Sequence, residues 1–157
     1  MTQIAVVYAT EYGSAEQYAR WIGQELGADV YEIHQVYKEK LETYRTVIYG
    51  GGLYYGRIKG FSRLKRLYPY FRESNLVVFT VGLTPLDQTK ILKNVEESNL
   101  SQEMKKKVRV FHLKGRIDYA SLKPFHRLFC GKYKEKQPNS LDRSSLQPLI
   151  EYVRSLT

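Results

Sequence analysis

The segment "IAVVYATEYGSAEQYARWIGQEL", residues 4–26, predicts a strand, a short loop and a helix in immediate succession. Residues 4–10 are the kind of apolar run that forms a strand buried on both faces. After Ser14, which we predict to be the N-cap, apolar residues recur at helical spacing until Gly27 ends the helix. The intervening "TEYGSA" is either an ordinary capped turn or a loop whose backbone N–H groups bind an anion.

The rest of the chain continues this alternation of strands and helices. Strand-like segments occur at residues 4–10, 28–34, 46–52, 75–82 and 107–115, with helical patterns between them. Strands that alternate with helices form βαβ units, which pair in parallel through right-handed crossovers. We therefore predict one α/β domain spanning residues 1–157, a doubly wound five-stranded parallel sheet in the order 2-1-3-4-5 with helices on both faces.

Two of the predicted helices contain a proline. In the segment 85–99, Pro85 is expected near the start of the helix, where a missing N–H costs little. In the final helix, within residues 140–156, Pro148 must either kink the helix or mark a later beginning. Between the fifth strand and this helix, residues 115–139 form an insertion longer than a plain connection requires.

The composition narrows the class of protein. The 157 residues carry a net charge of +9, and 43% of them are hydrophobic, which suits one folded domain with an anionic partner. The chain starts with a strand-like run rather than a signal peptide, and it has no apolar stretch long enough to span a bilayer. With the single cysteine Cys130, these features predict a cytoplasmic protein.

Glycine-rich segments follow three of the predicted strands. They are "TEYGSA" after the first strand, "GGGLYYG" after the third and "VGLTP" after the fourth. In a sheet of this order, ligands bind at the carboxyl ends of the strands, beside the switch point between strands 1 and 3. Because the three segments meet at that edge, we expect the ligand site there.

The first of these loops has the chemistry of a phosphate site. Thr10 and Ser14 supply hydroxyl groups, and Gly13 allows a positive φ or the close approach of an oxygen. The loop lacks the lysine of a P-loop, and its spacing does not match the G-x-G-x-x-G of dinucleotide sites. Neutral donors of this kind suit a tightly bound mononucleotide, whereas the alternative needs only Gly13 and Ser14 to make a turn.

The segments "YATEYGSAEQYA", "YGGGLYYG" and "GRIDYASLKPFHRLF" together resemble the flavodoxin-like superfamily, in this order and through nearly the whole chain. The branch that they resemble contains the flavodoxin-type protoporphyrinogen oxidase of bacteria. The resemblance implies non-covalently bound FMN, with its phosphate on Thr10, Glu11, Tyr12, Gly13, Ser14 and Ala15. Family members usually have Thr or Ser where this chain has Ala15, which removes one hydroxyl donor and keeps the N–H.

The resemblance also implies where the flavin ring lies. Residues after the third strand would flank the isoalloxazine, and residues after the fourth would contact its polar edge through their backbone: Gly52, Leu53, Tyr54 and Tyr55, then Val81, Gly82, Leu83 and Thr84. In the insertion, the resemblance makes Arg116 and Tyr119 candidates either for contact with a substrate carboxylate or for ordering the loop. The reacting centre would be N5 of the flavin, so no catalytic side chain is predicted.

Other site chemistries do not fit the sequence. His112 and His126 lack a second ligand at metal spacing, so we interpret both as structural or surface residues and predict no metal site. Cys130 lacks the downstream arginine of a phosphatase loop. A receiver domain needs an aspartate at the end of the third strand, where this chain has three glycines, Gly50 among them.

Two functions remain after these exclusions. The first is an FMN protein that transfers electrons or hydride, with oxidation of protoporphyrinogen as its specific enzyme hypothesis. Its partner would be an acidic redox protein, a quinone or an anionic small molecule, with peripheral contact at the inner face of the membrane as a further expectation.

The second function is that of a cofactor-free binding module whose basic surface binds a polyanion. Nucleic acid is a poor candidate because no aromatic-basic RNA signature is present.

The insertion adds an amphipathic pattern that fits either function. Its apolar residues are Leu122, Phe125, Leu128 and Phe129, and its basic ones are Lys123, Arg127, Lys132, Lys134 and Lys136. Such a stripe either closes over the core of the domain or lies against a membrane or an acidic partner.

Overall fold

The computed structural model describes residues 3–115 and 141–156. Its strands and helices, in chain order, are β1 (Ile4–Ala9), α1 (Ser14–Leu26), β2 (Asp29–Glu32), α2 (Lys38–Leu41), β3 (Thr46–Tyr54), β4 (Arg57–Ile58), α3 (Phe61–Leu67), β5 (Asn75–Gly82), α4 (Thr89–Asn99), α5 (Gln102–Lys107), β6 (Arg109–Lys114) and α6 (Gln147–Ser155). Short 3-10 turns lie at Ile33–Gln35, Tyr68–Tyr70 and Arg143–Leu146.

The sheet has the predicted topology. Its strands are in the order β2-β1-β3-β5-β6 and pair in parallel, so the predicted order 2-1-3-4-5 is confirmed. One strand was not predicted: the short β4 pairs antiparallel with the end of β3. The register places Gly51 opposite both Ala9 and Thr80, so the carboxyl ends of the three central strands lie at one edge.

Helices cover both faces of the sheet, as predicted. On one face, α1 and α6 pack their apolar residues, such as Tyr18 and Val153, against the sheet. On the other face, α3, α4 and α5 do the same with residues such as Leu64 and Met104. Because β1 and β3 contribute to both clusters, their residues are buried on either side. Continuous apolar strands of this kind are typical of a parallel sheet.

Three local predictions were wrong. Ser14 is not the N-cap of α1 but its first helical residue; the cap is Gly13, whose φ of 94° is left-handed. The second strand ends at Glu32, before the predicted residue 34, because the Glu32 carboxylate accepts the His34 N–H and caps the 3-10 turn. Helix α4 begins at Thr89, and Pro85 instead belongs to a preceding turn in which its carbonyl oxygen accepts the Gln88 N–H at 3.0 Å.

The last helix begins at Gln147, later than its apolar pattern suggests. A later beginning is one of the two outcomes expected for Pro148. A 3-10 turn, Arg143–Leu146, precedes α6, and Pro148 lies in the first turn of that helix, where proline is tolerated. Apart from Gly115, the insertion of residues 115–139 lies outside the described residues, and so do its predicted apolar and basic stripes. No helix in the described part of the chain is long and apolar enough to cross a membrane.

Candidate functional site

The loop between β1 and α1 is organised by Thr10 and Gly13. The Thr10 Oγ1 accepts the Gly13 N–H at 2.9 Å, and the Gly13 carbonyl oxygen accepts the Gln17 N–H at 3.0 Å. The left-handed Gly13 therefore turns the chain directly into the first turn of α1, a helix of 13 residues. Its N-terminal N–H groups and dipole favour an anion at this position.

The one acidic residue in the first turn of α1 is largely neutralised. The Glu16 carboxylate pairs with the Arg20 guanidinium one turn later, at 2.6 Å. Nearby, burial and the negative charge of Glu16 raise the pKa of Tyr8 above its ordinary value. Arg20 therefore offsets the charge in the first turn of α1 that would oppose an anion at the helix N-terminus.

Tyr54 joins the second predicted loop, "GGGLYYG", to the first. Its Oη accepts the Glu11 N–H at 3.2 Å, and its ring centroid lies 6.3 Å from that of Tyr12. The ring folds back over Gly52, where a Cβ would lie 2.8 Å from the Tyr54 Cε2. A side-chain oxygen of the second loop therefore accepts one backbone N–H of the first loop.

The carboxyl ends of β3 and β5 also meet; β3 continues to Tyr54, two residues beyond the predicted end of the third strand. Leu53 packs on Gly82 so closely that a Cβ on that glycine would lie 3.1 Å from the Leu53 Cβ. The Gly82 carbonyl oxygen accepts the Gly115 N–H at 2.8 Å, and Val81 is buried in the core. Leu83 and Thr84 follow at the partly buried rim. The structure thus brings the three predicted loops to one end of the sheet.

Tyr55 does not share the environment of Tyr54. It is 51% exposed at the tip of a two-residue turn between β3 and β4, where Tyr55 and Gly56 have φ values of 55° and 80°. Positive φ at both central residues defines a type I′ hairpin, which usually has Asn, Asp or Gly at the first of these positions. A bulky residue in this conformation is strained, and such strain concentrates at functional sites.

Sequence reasoning missed this hairpin and the residue that holds it. The Asn99 Oδ1 accepts the Ile58 N–H at 3.1 Å, and the Asn99 Nδ2 donates to the Gly56 carbonyl oxygen at 2.9 Å. The Lys59 N–H donates to the Gly52 carbonyl oxygen at 2.9 Å, which adds a hydrogen bond between the two arms of the hairpin. The only signal in the sequence was the pair Tyr55-Gly56, which is weaker than the Asn-Gly or Asp-Gly of typical hairpins.

Tyr18 links the two ends of the insertion to α1. Its hydroxyl donates to the Lys114 carbonyl oxygen at 2.7 Å and accepts the Asp142 N–H at 3.2 Å. The side chain is fully buried. One hydroxyl therefore satisfies a backbone acceptor before the insertion and a backbone donor after it, close to the loop end of the sheet.

We expect Tyr18→Phe to lower the free energy of unfolding by about 2 kcal/mol, because two backbone groups lose their buried partner. Urea denaturation followed by circular dichroism would measure this. Tyr37→Phe is the matched control, since Tyr37 is 63% exposed, and its effect should stay within about 0.5 kcal/mol. Equal effects of the two substitutions would show that the Tyr18 hydroxyl does not hold these ends.

His112 lies in a chain of hydrogen bonds between the sheet and α4. Its Nδ1 lies 2.6 Å from the Thr80 Oγ1, and its Nε2 lies 2.9 Å from a Glu96 carboxylate oxygen. Although hydroxyl, imidazole and carboxylate stand in the order of a hydrolase triad, Thr80 is fully buried and cannot meet a substrate. The network instead fastens α4 to β6, in keeping with the structural role expected for His112.

Some predicted residues fall outside the description. Arg116, Tyr119, His126 and Cys130 belong to the range that the structure does not describe, so their predicted roles stay predictions. Within residues 3–115 and 141–156, no three His, Cys, Asp or Glu side chains are grouped so as to hold a metal ion.

Solved structures with the same fold include whole small proteins and parts of larger ones. The rubredoxin oxygen:oxidoreductase of the anaerobe Desulfovibrio gigas aligns with 12% identity and a TM-score of 0.51, over 97% of this chain and 36% of that one. A WrbA-like flavodoxin of Agrobacterium tumefaciens aligns with 12% identity and a TM-score of 0.50, over 87% and 100%. A Fusobacterium nucleatum flavodoxin mutant bound to flavin mononucleotide aligns with 18% identity and a TM-score of 0.47, over 73% and 71%.

These likenesses to solved structures concern the fold alone. The chain covers about a third of the Desulfovibrio protein but the full length of the Agrobacterium one.

A search among curated proteins finds no match to the sequence. The sequence model of the flavodoxin domain, however, matches residues 5–142, which include β1 to β6 and all three loops at the carboxyl end of the sheet. The chain therefore belongs to the flavodoxin domain family.

Proposed function

We propose that this protein binds FMN at the carboxyl end of its sheet and uses it as an electron carrier or an FMN-dependent oxidoreductase. Family membership supports FMN as the cofactor. The observation that carries the proposal is the meeting of the three loops, in which Tyr54 contacts the first loop and Leu53 contacts Gly82. Bound FMN supplies the redox chemistry, and the protein positions it and tunes its potential.

The loop of residues 10–15 would hold the phosphate. Its N–H groups at Glu11 and Gly13 already donate to side-chain oxygens, of Tyr54 and Thr10 respectively, so their geometry suits oxygen acceptors. Hydroxyl donors at Thr10 and Ser14 and the N-terminus of α1 complete a site without a basic side chain. Ala15 is buried and contributes no hydroxyl, so its part would be limited to its backbone N–H.

The isoalloxazine would lie between the carboxyl ends of β3 and β5 and the residues that follow them. Leu53 and Tyr54 face that region through their contacts with Gly82 and Glu11. The Gly82 carbonyl oxygen already accepts the Gly115 N–H, so we assign contacts with the polar edge of the flavin to the backbone of Leu83 and Thr84. Tyr55, at the exposed tip of the hairpin, would contact the ring from outside.

Tyr54→Phe should strengthen FMN binding by about three- to tenfold. The Tyr54 hydroxyl competes with the phosphate for the Glu11 N–H, and a hydrogen bond of this kind contributes about 1 kcal/mol. The cofactor-free variant should in turn be less stable by a similar amount. Titration of the cofactor-free protein with FMN, followed by flavin fluorescence, measures the affinity. Weaker binding by the variant would mean that the hydroxyl contacts the cofactor directly.

The visible absorption spectrum, recorded before and after addition of FMN and gel filtration, tests the proposal itself. Retained FMN with bands shifted from those of free flavin is the expected result. If no FMN is retained and titration gives no binding, the first loop is only a turn. Salt-sensitive binding of a polyanion by the flavin-free protein would then favour the binding module.

We further propose protoporphyrinogen as the substrate of the oxidoreductase, with a quinone or another acceptor reoxidising the flavin. The resemblance of "GRIDYASLKPFHRLF" to the protoporphyrinogen oxidase branch supports this, and the net charge of +9 suits a substrate that carries carboxylates. The test is to incubate the FMN-loaded protein with protoporphyrinogen and an electron acceptor and to follow the fluorescence of the porphyrin that forms. FMN-dependent porphyrin formation no faster than in the control without enzyme would exclude this substrate and leave the electron carrier.

A further inference from the structure

A groove of about 660 Å³ separates the β3–β4 hairpin from α3 and the end of α4. Three basic side chains line it: Arg57, Lys59 and Lys65. Its polar lining comes from Ser62, Ser98 and Asn99. No acidic residue occurs among the described residues that line the groove, so its electrostatic potential is positive.

The cations of the groove are not paired within the fold. None of the ion pairs among the described residues includes Arg57, Lys59 or Lys65. The nearest ring contacts are those of Lys59 with Tyr54, at 5.9 Å, and of Lys65 with Phe61, at 6.0 Å. Exposed cations without a carboxylate partner are available to a negatively charged ligand.

The acidic residues nearest the groove in sequence are occupied elsewhere. Glu96 pairs with His112 at 2.9 Å, and Glu97 pairs with Lys105 at 3.0 Å. The residues of α4 that follow them, Ser98 and Asn99, carry no charge and are the ones that line the groove. The fold therefore directs the two carboxylates of α4 to partners outside the groove lining and leaves the cations of the hairpin and α3 exposed.

Hydrogen bonds hold the hairpin that forms one wall of the groove, and the groove lies beside the proposed flavin site. Asn99 holds the hairpin through the Ile58 N–H and the Gly56 carbonyl oxygen, so the wall that carries Arg57 does not depend on a ligand. Tyr55 forms part of the groove and is 51% exposed, while the adjacent Tyr54 contacts the first loop. An occupant of the groove would therefore come next to the cofactor.

We propose that this groove docks an acidic segment of the protein that exchanges electrons with the flavin, an inference that rests on the proposed function. Charge complementarity carries it, since among the described residues three cations without an ion-pair partner line the groove and no acidic side chain does. An extended segment rich in Glu and Asp would place its carboxylates on Arg57, Lys59 and Lys65. Such surfaces steer the partner to the cofactor and set the rate of association.

The test compares two double charge reversals in the full chain. Arg57→Glu with Lys65→Glu reverses two of the three positive charges of the groove, and Arg45→Glu with Lys106→Glu makes the same change at exposed positions beside the amino ends of β3 and β6. Binding of a fluorescein-labelled Glu-rich peptide is followed by fluorescence anisotropy, with a Gln-rich peptide of equal length as reference. We expect the groove variant to bind about tenfold more weakly and the control variant to change by less than about twofold.

Three results would overturn the docking surface: equal weakening in both variants, no weakening in either, or binding of anionic phospholipid vesicles instead of the peptide. The last result would identify a membrane as the occupant. In the FMN-loaded protein, the bound peptide should also shift the visible flavin bands, and the groove variant should lose this shift. FMN titration of the wild type separates the two proposals: absence of FMN binding refutes the proposed function, whereas unchanged peptide binding by the groove variant refutes the docking surface.

Discussion

Gly13→Asp should lower the affinity for FMN by about 100-fold or more, because a carboxylate within about 4 Å of a phosphate is strongly repelled. A Cβ at Gly13 meets nothing within 4 Å, so the expected loss comes from the charge of the carboxylate rather than from a clash of the Cβ within the protein. The φ of 94° adds about 1 kcal/mol of backbone strain, which Asp and Asn tolerate better than other residues.

Gly13→Asn is the matched control. It has the shape and backbone strain of the aspartate but no charge, so its FMN affinity should fall by about tenfold at most. Titration of the cofactor-free variants with FMN gives the two affinities, and thermal unfolding by circular dichroism shows that both are folded. If Gly13→Asp binds FMN like the wild type, the phosphate does not lie at this loop.

Gly50→Ala should lower the free energy of unfolding by about 3 kcal/mol or more, the upper range for overpacking a core. A Cβ at Gly50 would overlap the ring of Phe79, its neighbour on β5, and that ring is fully buried. Gly27→Ala is the comparison, because its Cβ meets nothing and only its φ of 63° opposes the change, at a cost of about 1 kcal/mol. Urea denaturation of the variants measures both effects.

A double-mutant cycle tests whether the clash with the Phe79 ring causes the loss of stability in Gly50→Ala. Phe79→Leu alone should cost roughly 1–2 kcal/mol, since it leaves part of the ring volume empty. The double variant should be more stable, by on the order of 1–2 kcal/mol, than the sum of the two single effects predicts, because the new methyl group occupies that volume. Additive effects of the two substitutions would show that the ring does not exclude a side chain at residue 50.

The fold was predictable because its signals are local. Apolar runs mark the strands, helical spacing marks α1 and α3, and the alternation of the two requires parallel pairing with right-handed crossovers. The strand order then places the glycine loops at one edge, where they are found. The errors lie at element ends, such as Ser14 and Pro85, where a single hydrogen bond or a left-handed residue decides the boundary.

The details of the site were less predictable. The sequence identified the loops but treated Tyr54 and Tyr55 alike, whereas one contacts Glu11 and the other stands exposed on a strained turn. The glycines near the end of β3 were interpreted through the ligand, but Gly50 is required by the packing of Phe79. These differences depend on the direction of side chains and on distances across the sheet, which no local pattern contains.

The sequence by itself determined the class of fold, the order of its strands, the edge at which its glycine-rich loops meet and the excess of positive charge. Each of these follows from periodicity, connection length or composition. Only the tertiary structure decided which groups meet: Tyr54 and Glu11 are 43 residues apart in the chain, and Glu96 and His112 are 16 apart. It also decided where the positive charge remains, because Glu96 and Glu97 are paired away from the groove while Arg57 and Lys65 are not. Contacts between distant segments depend on how helices pack on the sheet, and packing is a property of the whole domain.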